Sequence, residues 1–157
     1  MNLHEYQAKE ILADHGVAVQ RGIVAKNKEE AVSAAVKLTN DTGTKWHVVK
    51  AQVHAGGRGK GGGIKLAKSI EDVGSISDEI IGMRLITPQT PPKGKKVNLV
   101  LITEDVYCPG EFDPEEFYVS VLLNRATGRN MIMYSTEGGV DIETVADETP
   151  HLIFTEE

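Results

Sequence analysis

Lys50 and the ten residues that follow shortly after it, His54 to Gly63, are the part of this chain whose types and spacing suit chemistry. The ten read His-Ala-Gly-Gly-Arg-Gly-Lys-Gly-Gly-Gly and hold six of the sixteen glycines, together with two cations, Arg58 and Lys60. Glycine lets backbone N–H groups turn inward on an anion with no Cβ in the way, while Arg and Lys add charge and forked or mobile donors. That chemistry is the holding of phosphate. Between Thr42 and Ile70 there are six Lys or Arg and no Asp or Glu, a basic island in a chain whose net charge is −6. An island of that size suits a nucleotide rather than a nucleic acid, which needs an extended basic stripe.

These residues need elements to position them. Trp46–Val53 alternates and is β-branched, and Ile64-Lys65-Leu66-Ala67 is a second short strand, so the glycine run is predicted to be the flexible flap of a hairpin-like unit. Asn2 followed by Glu5 has the form of a capping box, and Tyr6, Ile11, Leu12 and His15 form a stripe that Gly16 ends, which predicts a helix over roughly 3–15. A short extended piece, Val17–Ala25, follows. Asn27 and Glu30 repeat the capping pattern before an amphipathic helix with Ala31, Val32, Ala35, Val36 and Leu38 inward. Ser69 caps a helix running through about Ile81, and Thr87–Lys96, rich in Pro and Lys, is predicted to be an exposed loop. Strands are expected at Val97–Ile102, Glu116–Asn124 and Asn130–Tyr134, with a surface loop from Tyr107 to Pro114 and a turn at Ala126-Thr127-Gly128-Arg129. Glu137-Gly138-Gly139 leads into a last helix that Pro150 stops. This order is α+β without the rhythm of a doubly wound sheet.

Two standard glycine motifs can be tested. A Walker loop fails because Gly59-Lys60 is followed by Gly61 rather than Ser or Thr. Gly57-Arg58-Gly59-Lys60-Gly61-Gly62 has the spacing of a dinucleotide fingerprint, but a strand follows it instead of a helix. What remains is a strand carrying Lys near its end, a glycine flap and a second strand, an arrangement that clamps a nucleotide between two β layers.

Val48 to Lys60, read as Val-Val-Lys-Ala-Gln-Val-His-Ala-Gly-Gly-Arg-Gly-Lys, resembles the ATP-grasp domain of the succinyl-CoA synthetase β-subunit family. Asn2-Leu3-His4-Glu5-Tyr6-Gln7-Ala8-Lys9, Ser135-Thr136-Glu137-Gly138-Gly139-Val140-Asp141-Ile142-Glu143 and Glu148-Thr149-Pro150-His151-Leu152-Ile153 resemble it as well. The resemblance implies an ATP-grasp fold of two small lobes. One spans about 20–104; the helix at 3–15 and residues from about 105 to 157 belong to a second lobe, which is incomplete. It implies that Lys50 contacts nucleotide phosphate oxygens, that Gly57, Arg58 and Gly59 lie over the phosphates, and that the hinge residue facing the adenosine is Thr103 or Glu104, depending on a one-residue choice of alignment, with Glu104 preferred. It implies as well that Glu116, at the opening of the next strand, accepts from ribose hydroxyls with its carboxylate. No catalytic residue and no metal ligand is assigned within this chain.

The activity implied is the reversible formation of succinyl-CoA from succinate, coenzyme A and ATP or GTP, through a histidine phosphorylated on a partner α subunit. The family's subunit continues beyond residue 157, and its Mg²⁺ ligands are expected there, so the chain is expected to be inactive alone. Malate–CoA ligase and ATP-citrate lyase share this lobe, and a non-catalytic nucleotide-binding module is the alternative of another class. Gln20 or residues near Glu104 are candidates for base selection.

Other features carry simpler readings. His54 lacks a partner acid or second ligand, Cys108 is a lone thiol that can form no intrachain bridge, and Lys93, Lys95 and Lys96 are a solvated charge run. A pI near 5.4 and the absence of a long apolar run argue against affinity for nucleic acid or membrane. The N-terminus has neither a secretion signal nor a transit peptide, so the cytoplasm is expected.

Overall fold

The computed structural model describes residues 2–107 and 115–157. Cys108, and most of the loop expected from Tyr107 to Pro114, lie outside the described residues. The chain forms two compact units, 1–108 and 109–157.

The first unit is built on a four-stranded, wholly antiparallel sheet: β1 (Gly22–Ala25), β6 (Val100–Glu104), β2 (His47–Ala51) and β3 (Ile64–Ala67), in that spatial order. Helices α2 (Lys28–Thr42) and α3 (Ile70–Ile80) pack on it and on each other. In β2 the strand period of two buries His47, Val49 and Ala51 and leaves Val48 and Lys50 only partly covered, on the opposite side. Ala31, Ala34, Ala35 and Leu38 of α2 meet Val73 and Ile80 of α3 and the strands' Val49, Val100 and Ile102 in one apolar core. Val36, expected inside, is exposed, and Ala34 takes the inward position.

The caps of these two helices follow the sequence. Asn27 accepts from the Glu30 backbone N–H at 2.8 Å while Glu30 reaches back to the Lys26 N–H, and Ser69 accepts from the Asp72 N–H at 3.0 Å. Gly43, in the left-handed region at φ 76°, ends α2.

Helix α1 (Glu5–Asp14) departs from expectation in two ways. Its N-cap is His4, whose backbone N–H is taken by the Gln7 side chain at 2.9 Å, because His4 is still extended and the helix starts at Glu5. Its apolar stripe also does not face the sheet. Ile11 and Leu12 are 47% and 46% exposed, while Glu5, Tyr6 and Lys9 are partly covered. Charge, rather than apolar burial, turns the helix.

The stretch expected to be a loop at 87–96 contains part of a ribbon. Lys95–Lys96 (β5) pairs antiparallel with Arg84–Leu85 (β4), and burial of Leu85 and Val97 holds the ribbon on the core.

The second unit is a three-stranded antiparallel sheet of β7 (Tyr118–Asn124), β8 (Arg129–Ser135) and β9 (Ile153–Glu156), with helix α4 (Ile142–Glu148). The turn through Gly128 joins β7 to β8 as the sequence indicates. β9 was not legible, since its four residues follow directly on a single helical turn at Pro150–Leu152. Gly138 and Gly139 do not open α4, whose N-cap is Asp141; Gly138 instead gives its N–H to the Glu116 carbonyl at 3.1 Å, at an approach that leaves no room for a Cβ.

Removing the cap with Asn27→Ala is expected to cost the first unit about 1 kcal/mol. Val36→Ser on the exposed face of the same helix is expected to change stability by less than about 0.5 kcal/mol. Urea unfolding followed by the fluorescence of Trp46, the chain's single tryptophan, measures both.

Candidate functional site

Lys50 leaves β2 on the partly covered face and Arg58 leaves the glycine loop, and the two meet at Glu5 in the first turn of α1. Lys50 Nζ lies 3.2 Å from Glu5 Oε1, and Arg58 Nη2 lies 2.7 Å from Glu5 Oε2. Arg58 Nη1 donates to the Ala51 carbonyl at 2.7 Å, which fixes the guanidinium against the end of β2. Lys9, one helical turn after Glu5, is a third cation at 3.5 Å from Oε1. The Gln20 side-chain oxygen accepts from both Lys9 and Lys50, at 2.9 and 3.1 Å. Gln52 completes the ring by donating toward Glu5 Oε2 at 3.4 Å and accepting from the Tyr6 backbone N–H.

Three cations against one carboxylate leave the cluster with an excess of positive charge. The side chains of Lys50, Arg58 and Glu5 are only 19%, 18% and 19% exposed, so solvent screens them weakly. Burial pushes the Glu5 carboxyl up, but Lys50, Arg58 and Lys9 together outweigh it and hold its pKa at about 2. Lys9 is lowered, by burial first and then by the charge of Lys50, against the pull of Glu5.

The loop between β2 and β3 is folded on itself. Gly61, Gly62 and Gly63 donate their N–H groups to the carbonyls of Gly57, Gly59 and Arg58 at 3.2, 3.0 and 2.8 Å. Those three amides are therefore used within the loop, so the side chains of Lys50 and Arg58 are the donors that converge. Gly57 has φ 69°, in the left-handed region, and Gly59 stands in open space. A Cβ at Gly61 would come within 2.6 Å of the Ile86 carbonyl oxygen, which seats the loop closely on the segment after β4. The Gly56 N–H is tied to Gln89 Oε1 at 2.7 Å.

Glu104 ends β6 with its carboxylate accepting from the Arg21 backbone N–H at 2.7 Å, while its carbonyl accepts from Gln20 Nε2 at 2.6 Å. Gln20 thus links the cation cluster to the strand end. Thr103, its neighbour, is fully buried and donates to the Val48 carbonyl. Glu116 is exposed and belongs to the second unit, two residues before the start of β7 rather than within it.

His54 stacks on His4 with ring centroids 3.9 Å apart, and burial, then His54 and Arg58, lower the His4 pKa. Lys95, expected to be solvated, donates to the His54 carbonyl at 2.5 Å. Among the described residues no three His, Cys, Asp or Glu are grouped to hold a metal. Nor is any helix among them long and apolar enough to cross a membrane. The sequence assigns no role to Glu5, Lys9 and Gln52 in the cluster; the signal for them is that all three fall in the stretches, Asn2–Lys9 and Val48–Lys60, that carry the family resemblance.

The ATP-grasp domain model matches residues 2–157. The chain is 73% identical over 157 residues to the succinate–CoA ligase [ADP-forming] subunit beta of Flavobacterium johnsoniae, and 56% identical over 150 residues to that of Chlorobium chlorochromatii. These alignments take in 100% and 96% of this chain but 40% and 37% of the relatives, so the chain spans about two fifths of the curated relatives it matches. Among solved structures it is similar to the dinucleotide-forming acetyl-coenzyme A synthetase 1 of Ca. Korarchaeum cryptofilum in complex with coenzyme A, acetyl-coenzyme A and a phosphorylated phosphohistidine segment. That match has a TM-score of 0.59 at 26% identity and covers 90% of this chain and 55% of that one. A second structure of that synthetase, with coenzyme A, Ca-AMPCP and HgCl⁺, shares the fold with a TM-score of 0.68 at 21% identity, over 98% of this chain and 59% of that one.

The cluster has a signature in pH. Glu5 titrates at about 2 when folded, below its ordinary 4.5, so its stabilisation is complete above 4.5 and is lost as pH falls toward 2. The loss amounts to at most about 3 kcal/mol. Burial above all lowers His4 and His47 from 6.5, so a further loss is expected to begin below that pH. Urea unfolding of wild type and Glu5→Gln across pH 7 to 3, read at Trp46, is expected to show the steep acid limb only in wild type.

Proposed function

We propose, starting from the fact that this chain belongs to the ATP-grasp domain family, that it is the nucleotide-binding part of a succinate–CoA ligase β subunit. The observation that carries the reading is the convergence of Lys50 and Arg58, one from a strand and one from the glycine loop, on the two oxygens of a single bridging carboxylate. An anionic O–C–O group held by a Lys ammonium and an Arg guanidinium has the donor set that a phosphate O–P–O group requires.

In this reading Lys50 and Arg58 bind phosphate oxygens of ATP or GTP, with Gly57 and Gly59 allowing the loop to lie close to them. Phosphoryl transfer depends on positioning and on neutralising the charge of the group that moves, and two fixed, weakly screened cations supply that. Glu104 sits at the end of the strand beside the cluster and contacts the nucleoside, and Glu116 contacts the ribose. Residues of about 20–104 form one lobe of the domain and the chain from about 105 begins the other, while α1, within the first unit, carries Glu5 to the cation cluster.

The whole enzyme joins succinate to coenzyme A with a nucleoside triphosphate, and the phosphoryl group passes through a histidine of a partner α subunit. Mg²⁺ belongs to the same reading, with its ligands in the part of the family's subunit beyond residue 157. The location proposed is the cytoplasm.

Isothermal titration of ATP into the 157-residue chain tests the reading. Lys50→Ala and Arg58→Ala are each expected to weaken binding at least about tenfold, the loss of one charge-assisted contact. Equal binding by wild type and both variants would contradict it.

A further inference from the structure

The bonds that bring Lys50 and Arg58 together also occupy them. Two of the three Lys50 donors go to Glu5 and Gln20, and Arg58 gives Nη1 to Ala51 and Nη2 to Glu5. The position within bonding reach of both Lys50 Nζ and Arg58 Nη2 is where the Glu5 carboxylate stands. A phosphate that takes both cations at that point must move the carboxylate aside.

We infer that Glu5 is an internal competitor of the ligand's phosphate for Lys50 and Arg58, a carboxylate that binds both cations and hands them over when a nucleoside polyphosphate enters. The inference rests on the nucleotide reading above. Charge favours the exchange, since three cations around one carboxylate are matched better by a polyphosphate of charge −3 or more than by a single −1 group. Geometry favours it too. When Lys50 and Arg58 leave, Glu5 keeps Lys9, its own neighbour one helical turn away at 3.5 Å, so the displaced carboxylate is not left buried and unpaired.

The exchange lowers apparent affinity by the fraction of molecules in which the cations are free of Glu5. The Arg58 Nη2 bond to Glu5 adds to the Nη1 bond to the Ala51 carbonyl at the end of β2, and so helps to keep the loop seated when phosphate is not bound to it. Glu5 thus sets both the threshold for phosphate and the order of the loop.

The test uses Glu5→Gln and Glu5→Asp in the 157-residue chain, with inorganic tripolyphosphate and ATP as titrants in low-salt buffer. Glu5→Gln is expected to bind both about tenfold more tightly than wild type. Glu5→Asp, whose shorter side chain reaches the two cations less well, is expected to shift in the same direction by less, and it keeps the charge if Glu5→Gln proves too unstable to measure. Limited trypsinolysis supplies a second readout. Cleavage after Arg58 is expected to be faster in Glu5→Gln than in wild type and to slow again on addition of ATP. A structural role alone would lower stability without tightening binding, so unchanged or weaker affinity in both variants overturns the inference. If wild type binds and Lys50→Ala does not, that outcome leaves the nucleotide reading standing; absence of binding by wild type and both Glu5 variants overturns the two together.

Discussion

Three cations cannot share a poorly solvated space without an anion among them, and Glu5 is the anion that lets Lys9, Lys50 and Arg58 do so. The arrangement of the first unit follows from this requirement. Helix α1 turns its charged side to the sheet and leaves Ile11 and Leu12 exposed, which an apolar burial rule alone would not allow. The loop after β2 is pinned through Arg58 at one end, and through Gly56 and Gln89 at its base. Gln20 takes Lys9 and Lys50 on its oxygen and gives its nitrogen to the Glu104 carbonyl, so the strand end is fixed by the same network.

A partly covered ion cluster of this kind contributes little net stability, because desolvation consumes most of the Coulomb gain. The sheet supplies the rigid frame: Lys50 is held by pairing to Ile64 on one side and Leu101 on the other, in the middle of the antiparallel ladder. The loop supplies the second cation at short range, and the alternation of β2 keeps the core residues and the charged residue on opposite faces. Position, partial cover and excess charge are together what the proposed phosphate site rests on.

Much of this was legible in the sequence because it is local. The hairpin around the glycines, the caps at Asn27 and Ser69, and the end at Gly16 are each written in residues a few positions apart, where turn and cap chemistry acts. Lys50 and Arg58 could be singled out because a lone Lys on an apolar strand and an Arg among glycines are unusual settings. Glu5 could not be, since its partners lie 45 and 53 residues away and the Asn2–Glu5 spacing pointed to a cap that His4 and Gln7 in fact supply. β4 and β5 were missed because a two-residue ribbon carries no periodicity, and β9 because it begins immediately after a helical turn. The use of the glycine amides within their own loop was equally hidden, since composition says what a loop permits and not which bonds it makes.

The central claim is that Lys50 and Arg58 act together as the phosphate-binding pair. It is tested most directly by nuclear magnetic resonance of the Lys50 ammonium and Arg58 guanidinium signals in the ¹⁵N-labelled chain during titration with ATP. Both signals are predicted to shift, saturably and with one shared dissociation constant, while the signal of exposed Lys37 on α2 stays in place. ATP binding that leaves Lys50 and Arg58 unshifted would contradict the account.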